Sequence, residues 1–97
     1  MENYQETKLK TIAKNYILSK TSRFSHSHPH PQFFFNYISR VEKAYSFLAD
    51  PLKVIINNDF FYQDYPWWWK SLYSEKTYLL LRQIAIYQFM EAYEELN

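Results

Sequence analysis

A chain of 97 residues with a net charge of +1 is expected to form one domain and to lack a strong overall field for nucleic acid. It has no cysteine, which excludes disulfides and thiolate metal sites, and no glycine, which argues against β-hairpins, phosphate-binding loops and dinucleotide-binding fingerprints. Aromatic residues make up 22% of the chain and provide for a rich core. We therefore expect a single all-α domain over residues 1–97, an orthogonal bundle of about five helices.

The first predicted element is an amphipathic helix within residues 1–20. Its apolar residues recur at helical spacing, which indicates one buried face. Lysines interrupt every apolar run in this segment, so it has neither a signal-peptide pattern nor the length of a membrane span. We expect a cytoplasmic protein with no membrane partner. The predicted stripe consists of Leu9, Ile12, Ala13, Tyr16 and Ile17.

A linker rich in serine, histidine and proline is predicted at residues 21–31. His26, His28 and His30 alternate in it and could converge on zinc or nickel. Neither a cysteine nor a nearby carboxylate completes such a site, so a solvated loop is the favoured interpretation. We expect no metal site and no cofactor.

Two further helices are predicted between the linker and the tryptophan cluster. The second predicted helix covers residues 32–48, and Pro31 suits its first turn. Asp50 is predicted as the cap of the third helix, with Pro51 at its first position. The predicted buried residues are Phe34, Tyr37, Ile38, Val41, Ala44, Tyr45 and Leu48 in the second helix, and Leu52, Ile55, Ile56 and Phe60 in the third.

A short fourth helix is predicted over residues 64–72, which include Trp67, Trp68 and Trp69. Three consecutive helical residues fan through about 200°, so one helix face cannot bury all three rings. At least one ring should therefore be exposed. An exposed ring would suit base stacking or peptide docking, whereas a covered ring would simply pack on a neighbouring helix.

The fifth predicted helix begins after Ser74, whose hydroxyl suits an N-cap, and runs to about residue 96. It is apolar nearly all round, which predicts burial on several sides. Its main face carries Leu81, Ala85 and Phe89. Beside this face lies a second apolar stripe, which must pack on the first two helices or on another chain. These candidate interface residues are Leu79, Leu80, Ile86 and Met90.

Two short motifs occur near the ends of residues 48–89. The first is Leu48-Ala49-Asp50-Pro51 with the apolar helix that follows, and the second is Ser74-Glu75-Lys76-Thr77-Tyr78 followed by Arg82, Ala85 and Phe89. On these motifs the segment resembles region 4 of bacterial sigma factors and the sigma-like phage regulators of the ArpU type. It is also similar to small uncharacterised mycoplasma proteins with a Trp-Trp…Tyr-Ser-x-x-Thr-Tyr pattern. The resemblance implies a degenerate helix-turn-helix unit over residues 50–96.

The chain departs from that family at the turn and on the recognition helix. The glycine of the family's turn is absent, because Leu72 runs directly into Tyr73, and Trp69 stands where the family has a small residue. Leu79 and Leu80 occupy positions at which the family commonly shows polar, base-contacting side chains. The angle between the two helices should therefore differ from that of the family.

The resemblance implies a small regulatory protein that binds DNA or a protein of the transcription machinery. Its candidate nucleic-acid-binding residues are Lys70, Lys76, Arg82 and Gln83. The alternative hypothesis is a helical protein-interaction or homodimerisation module without nucleic-acid binding. An exposed basic face over residues 75–86 would favour DNA, and an apolar one would favour protein.

Catalysis is not expected of this chain. Glu91, Glu94 and Glu95 cluster near its end, where they suit a solvated helix terminus. No nucleophile and base, and no metal triad, has a recognisable spacing, so we assign no catalytic residue.

Overall fold

The computed structural model describes residues 3–21 and 31–96. This part of the chain is all-α, as predicted, and contains four α-helices and no strand. The helices are α1 (Tyr4–Thr21), α2 (Pro31–Ser46), α3 (Asp50–Ile56) and α4 (Glu75–Glu95), and the π-helical segment Asn57–Phe61 continues α3 directly.

Helix α1 begins with a side-chain cap, because the amide of Glu6 donates a hydrogen bond of 2.8 Å to Asn3 Oδ1. Its predicted stripe is confirmed. Leu9, Ile12, Ala13 and Tyr16 are buried, and Ile17 is partly buried against them. The helix packs with this face on α2, α4 and the π-helical segment, so it is an integral part of the core.

Helices α1 and α2 are joined by two tyrosine hydroxyls as well as by apolar contacts. Tyr16 donates to Glu42 Oε2 at 2.7 Å, and Tyr37 donates to the carbonyl of Ile12 at 3.0 Å. Lys20 completes the first contact, since its Nζ donates to the hydroxyl of Tyr16 and lies 3.3 Å from Glu42 Oε2. The prediction for α2 is confirmed for Val41, Ala44 and Leu48, which are buried; the side chain of Phe34 lies outside the description.

The start of α3 differs from the prediction by one residue. Ala49, not Asp50, is the N-cap; its backbone is extended and its carbonyl accepts the amides of Leu52 and Lys53 at 2.9 and 3.0 Å. The backbone alone therefore forms this cap, with Asp50 already in the first turn. The predicted stripe is confirmed, because Leu52, Ile55, Ile56 and Phe60 are all buried.

The prediction of a helix over residues 64–72 is wrong. The segment consists of turns, with backbone hydrogen bonds from Trp68 to Tyr65 at 3.2 Å and from Lys70 to Trp67 at 3.1 Å. Trp69 stacks on Tyr78 of α4 with ring centres 4.4 Å apart, and Trp68 meets the same ring edge-on at 6.0 Å. Successive helical side chains diverge by about 100°, so turns bring both rings onto one tyrosine more readily than a regular helix does.

Helix α4 is the central element and packs on α1, α2 and α3. The Ser74 cap is confirmed, because Ser74 Oγ accepts the amide of Thr77 at 3.2 Å. At the other end Arg40 of α2 donates from Nε and Nη2 to the carbonyl of Tyr93, at 3.0 and 2.8 Å. This cation interacts favourably with the negative end of the helix dipole, whereas the glutamates of the last turns interact unfavourably with it.

Candidate functional site

The most concentrated polar cluster lies between α1, the π-helical segment and α4, and Arg82 is at its centre. Its Nη1 donates to Glu6 Oε1 in a close ion pair, and its Nε donates to Asp59 Oδ2 at 3.1 Å. All three side chains are at least four-fifths withdrawn from water, with 19% of Arg82, 11% of Glu6 and 9% of Asp59 exposed. The two carboxylates therefore hold the guanidinium inside the domain.

Two aromatic side chains also donate hydrogen bonds to the Asp59 carboxylate. Trp68 Nε1 donates to Oδ1 at 2.8 Å, and the hydroxyl of Tyr78 donates to Oδ2. Burial of the Tyr78 ring, and then its hydrogen bond to the Asp59 carboxylate, raise the pKa of this tyrosine well above its usual range. The carboxylate is thus a fixed acceptor for three side chains that come from two different parts of the sequence.

Arg82 is accordingly not a free cation, and these ion pairs disfavour its predicted role in nucleic-acid binding. Burial alone would lower the pKa of its guanidinium, but the hydrogen bond and charge of Glu6, together with Asp59, raise it. Moving this side chain to a phosphate would leave two buried carboxylates without their cation, which is costly. Its partner Glu6 lies 76 positions away, so the sequence pattern around Arg82 does not reveal the pairing.

The other three predicted nucleic-acid-binding residues are exposed. Lys70 lies over the ring of Trp67, with Nζ 5.6 Å from the ring centre. Gln83 accepts a hydrogen bond of 3.4 Å from Asn3 Nδ2. Lys76 forms no ion pair with a described residue. Two exposed lysines and one glutamine are fewer groups than a phosphate-binding surface usually presents.

The prediction that at least one tryptophan is exposed is confirmed. Trp67 is 66% exposed, whereas Trp68 and Trp69 are partly buried on Tyr78. Trp67 and Tyr65 flank an open, mainly apolar depression next to Pro66. Tyr78 and Leu80 lie about 200° apart around α4, so the tryptophan cluster and Leu80 are on different sides of this helix.

The four candidate interface residues divide between core and surface. Ile86 and Met90 are 1% and 0% exposed, so the chain itself covers them and their place in an interface is corrected. Leu79 and Leu80 remain 49% and 62% exposed. The buried side of the helix therefore includes Ile86 and Met90 together with Phe89.

Two exposed apolar residues of α4 were missed by the sequence analysis. Ile84 and Tyr87 are 37% and 55% exposed, and they follow Leu80 at i+4 and i+7. The three form a stripe on the solvent side of α4, which we call the outer stripe. The spacing of Leu80, Ile84 and Tyr87 is visible in the sequence, but in a helix apolar nearly all round it does not reveal which side faces water.

The outer stripe has polar and apolar neighbours at its C-terminal end. Tyr87 is hydrogen-bonded to Glu91, and this contact raises the pKa of the tyrosine. Phe47, which is 63% exposed, and Tyr87 line the same groove of about 490 Å³ between the end of α2 and α4. The groove is open to solvent and has a mixed lining, in which polar side chains such as Gln88 and Glu95 stand beside Phe47 and Tyr87.

Neither a cluster of metal-ligand side chains nor a helix able to span a membrane occurs in the part of the chain that the structure describes. Residues 3–21 and 31–96 hold no group of three or more histidine, aspartate or glutamate side chains placed to bind a metal ion. His26, His28 and His30 lie outside those residues. None of the helices described here is long and apolar enough to cross a bilayer.

Comparison of the chain with protein-family models, with curated proteins and with solved structures finds no match in any of the three. The function must therefore be argued from the arrangement of the side chains.

Proposed function

We propose that this chain is a small, non-enzymatic helical module that binds protein through the solvent side of α4. The observation that carries the proposal is the outer stripe of Leu80, Ile84 and Tyr87, extended by Phe47. Large apolar side chains that lie next to one another on a surface commonly mark a protein interface.

Charge supports protein over nucleic acid as the partner. The exposed part of residues 75–86 carries Glu75, Lys76 and Gln83 beside Leu79, Leu80 and Ile84, so it is apolar with one charge of each sign. Arg82, the strongest phosphate ligand in this stretch, is held by Glu6 and Asp59. DNA-reading helices instead present arginine, lysine, asparagine or glutamine to the groove.

A second candidate function rests on the exposure of Lys70 and Lys76. On this hypothesis the chain is a sigma-like regulator that binds DNA or the transcription machinery, as its resemblance implies. Duplex DNA would then bind with an affinity that falls as salt rises, because phosphate contacts release counterions.

One pair of experiments separates the two functions. A photo-crosslinking phenylalanine analogue at position 80, compared with the same analogue at the exposed Leu18 of α1, is irradiated in extract of the source cells. Protein adducts at position 80 and not at position 18 are expected for the interaction module. Equal or absent adducts at both positions would contradict it.

The second experiment measures the electrophoretic retardation of random duplex DNA at low salt. The interaction module predicts no retardation at micromolar protein. Retardation that weakens with salt and with Lys70→Ala and Lys76→Ala would establish the DNA hypothesis in its place.

A further inference from the structure

Beyond the outer stripe itself, the charges at its two ends indicate what covers it. Lys76 precedes Leu80 by one helical turn, and Glu91 follows Tyr87 by one turn. Both side chains are exposed, and neither forms an ion pair with a described residue. At 100° per residue, Lys76, Leu80, Ile84, Tyr87 and Glu91 all lie within an arc of roughly 80°.

The order of four of these residues is symmetric about a point between Gln83 and Ile84, and Ile84 lies next to that point. Reversing the helix about that point exchanges Lys76 with Glu91 and Leu80 with Tyr87. A two-fold axis at the point would thus place a second α4, running antiparallel, with Lys76 of each copy level with Glu91 of the other. Closed two-fold dimers are the commonest homo-oligomers, and their interfaces are self-complementary in this way.

We propose that the outer stripe is covered by a second copy of this chain, with the two α4 helices antiparallel. This inference rests on the proposed function, because it names the partner of the same surface. Leu80 of one copy packs on Tyr87 of the other, and the two Ile84 side chains meet beside the axis. Opposite charges at both ends fix the register and disfavour the parallel arrangement, in which Lys76 would face Lys76.

The absence of cysteine allows a direct test of the register by engineered disulfides. In the antiparallel dimer the two copies of residue 84 lie beside the axis, whereas the two copies of residue 76 are roughly 22 Å apart. A disulfide requires Cα atoms within about 7 Å. Mild oxidation should therefore link Ile84→Cys into a dimer and leave Lys76→Cys monomeric on a non-reducing gel. A parallel pairing would link both variants, and that result would overturn the proposal.

Charge exchange tests the end contacts in solution. By sedimentation equilibrium, Lys76→Glu and Glu91→Lys should each weaken the dimer on the order of tenfold, because both symmetry-related pairs become repulsive. The double exchange should restore the association. Single variants that associate as tightly as the wild type would contradict the register. Circular dichroism on each variant confirms that the exposed substitutions leave the fold intact.

Failure here and failure of the proposed function give different results. A wild-type chain that is monomeric at all concentrations, with no disulfide at position 84, ends the self-association proposal. Adducts to a different protein at position 80 would then still support the interaction module. Absence of both adducts and dimer would end both.

Discussion

Arg82 of α4 and Glu6 of α1 form an ion pair across 76 positions of the sequence, with both side chains largely withdrawn from water. The pair fastens the first helix to the last, and Asp59 adds the π-helical segment to the same guanidinium. Arg82, which the sequence analysis gave as a candidate nucleic-acid-binding residue, is thus part of the structural framework. Its removal from the surface leaves the apolar side of α4 as the distinctive exposed feature.

Arg82→Met should destabilise the domain by about 3–5 kcal/mol, because Glu6 and Asp59 would remain buried without their cation. The control is Lys14→Met on the exposed side of α1, away from the outer stripe, for which we expect a change within about 0.5 kcal/mol. Urea denaturation followed by circular dichroism measures both. Equal stabilities for the two variants would show that the buried cluster does not hold the helices together.

Ile12→Ala should cost about 2–5 kcal/mol, because it opens a cavity where α1 meets the core. Leu18→Ala on the exposed side of α1 is the control, with an expected cost below about 0.5 kcal/mol. An unchanged melting temperature for the Ile12 variant would indicate that α1 is undocked.

The burial pattern of α4 can be tested with two isoleucines on one helix. Ile86→Lys should unfold the domain, because position 86 is fully enclosed and a buried lysine lacks any partner there. Ile84→Lys should remain folded, since its ammonium group can reach water. Circular dichroism of the two variants decides the matter, and a folded Ile86→Lys would mean that this side of α4 is open.

Stability should fall as pH rises above about 10, the ordinary tyrosine pKa. Burial, and then the hydrogen bond to Glu42, raise the pKa of Tyr16 to about 12, so the unfolded chain loses this proton first. Above about pH 10, each tyrosine with a raised pKa in the folded state lowers the free energy of unfolding by about 1.4 kcal/mol per pH unit, until the pH reaches its folded-state pKa.

Tyr16→Phe should reduce the slope of the free energy of unfolding against pH. Tyr65→Phe, at a position that is 76% exposed, should leave this slope unchanged. Denaturation at a series of pH values from 9 to 11 supplies the slopes. Identical slopes for the wild type and Tyr16→Phe would contradict the assignment.

The buried stripes of α1, α2 and α3 could be predicted because period and side-chain type agree there with the packing. The helix over residues 64–72 could not be excluded, since its turns depend on two tryptophan rings meeting Tyr78 of another element. Near residue 82 the sequence was misleading for a similar reason. A local motif identifies an arginine, but its two carboxylate partners come from distant segments.

The sequence also does not show which apolar side chains of α4 face solvent. Leu79, Leu80, Ile86 and Met90 are alike in sequence, and only the positions of α1, α2 and α3 decide that the last two belong to the core. Their burial within one copy leaves Leu80, with Ile84 and Tyr87, as the residues that require another explanation.

The most direct test of the central claim is the mass in solution of the wild type and of Leu80→Glu, measured by sedimentation equilibrium over a range of concentrations. The account predicts that the wild type associates and that Leu80→Glu is a folded monomer, because the new carboxylate enters solvent once the partner leaves. Leu18→Glu, an exposed leucine on α1, should associate like the wild type. A Leu80→Glu variant that associates as tightly as the wild type, or that unfolds, would contradict an interface on the outer side of α4.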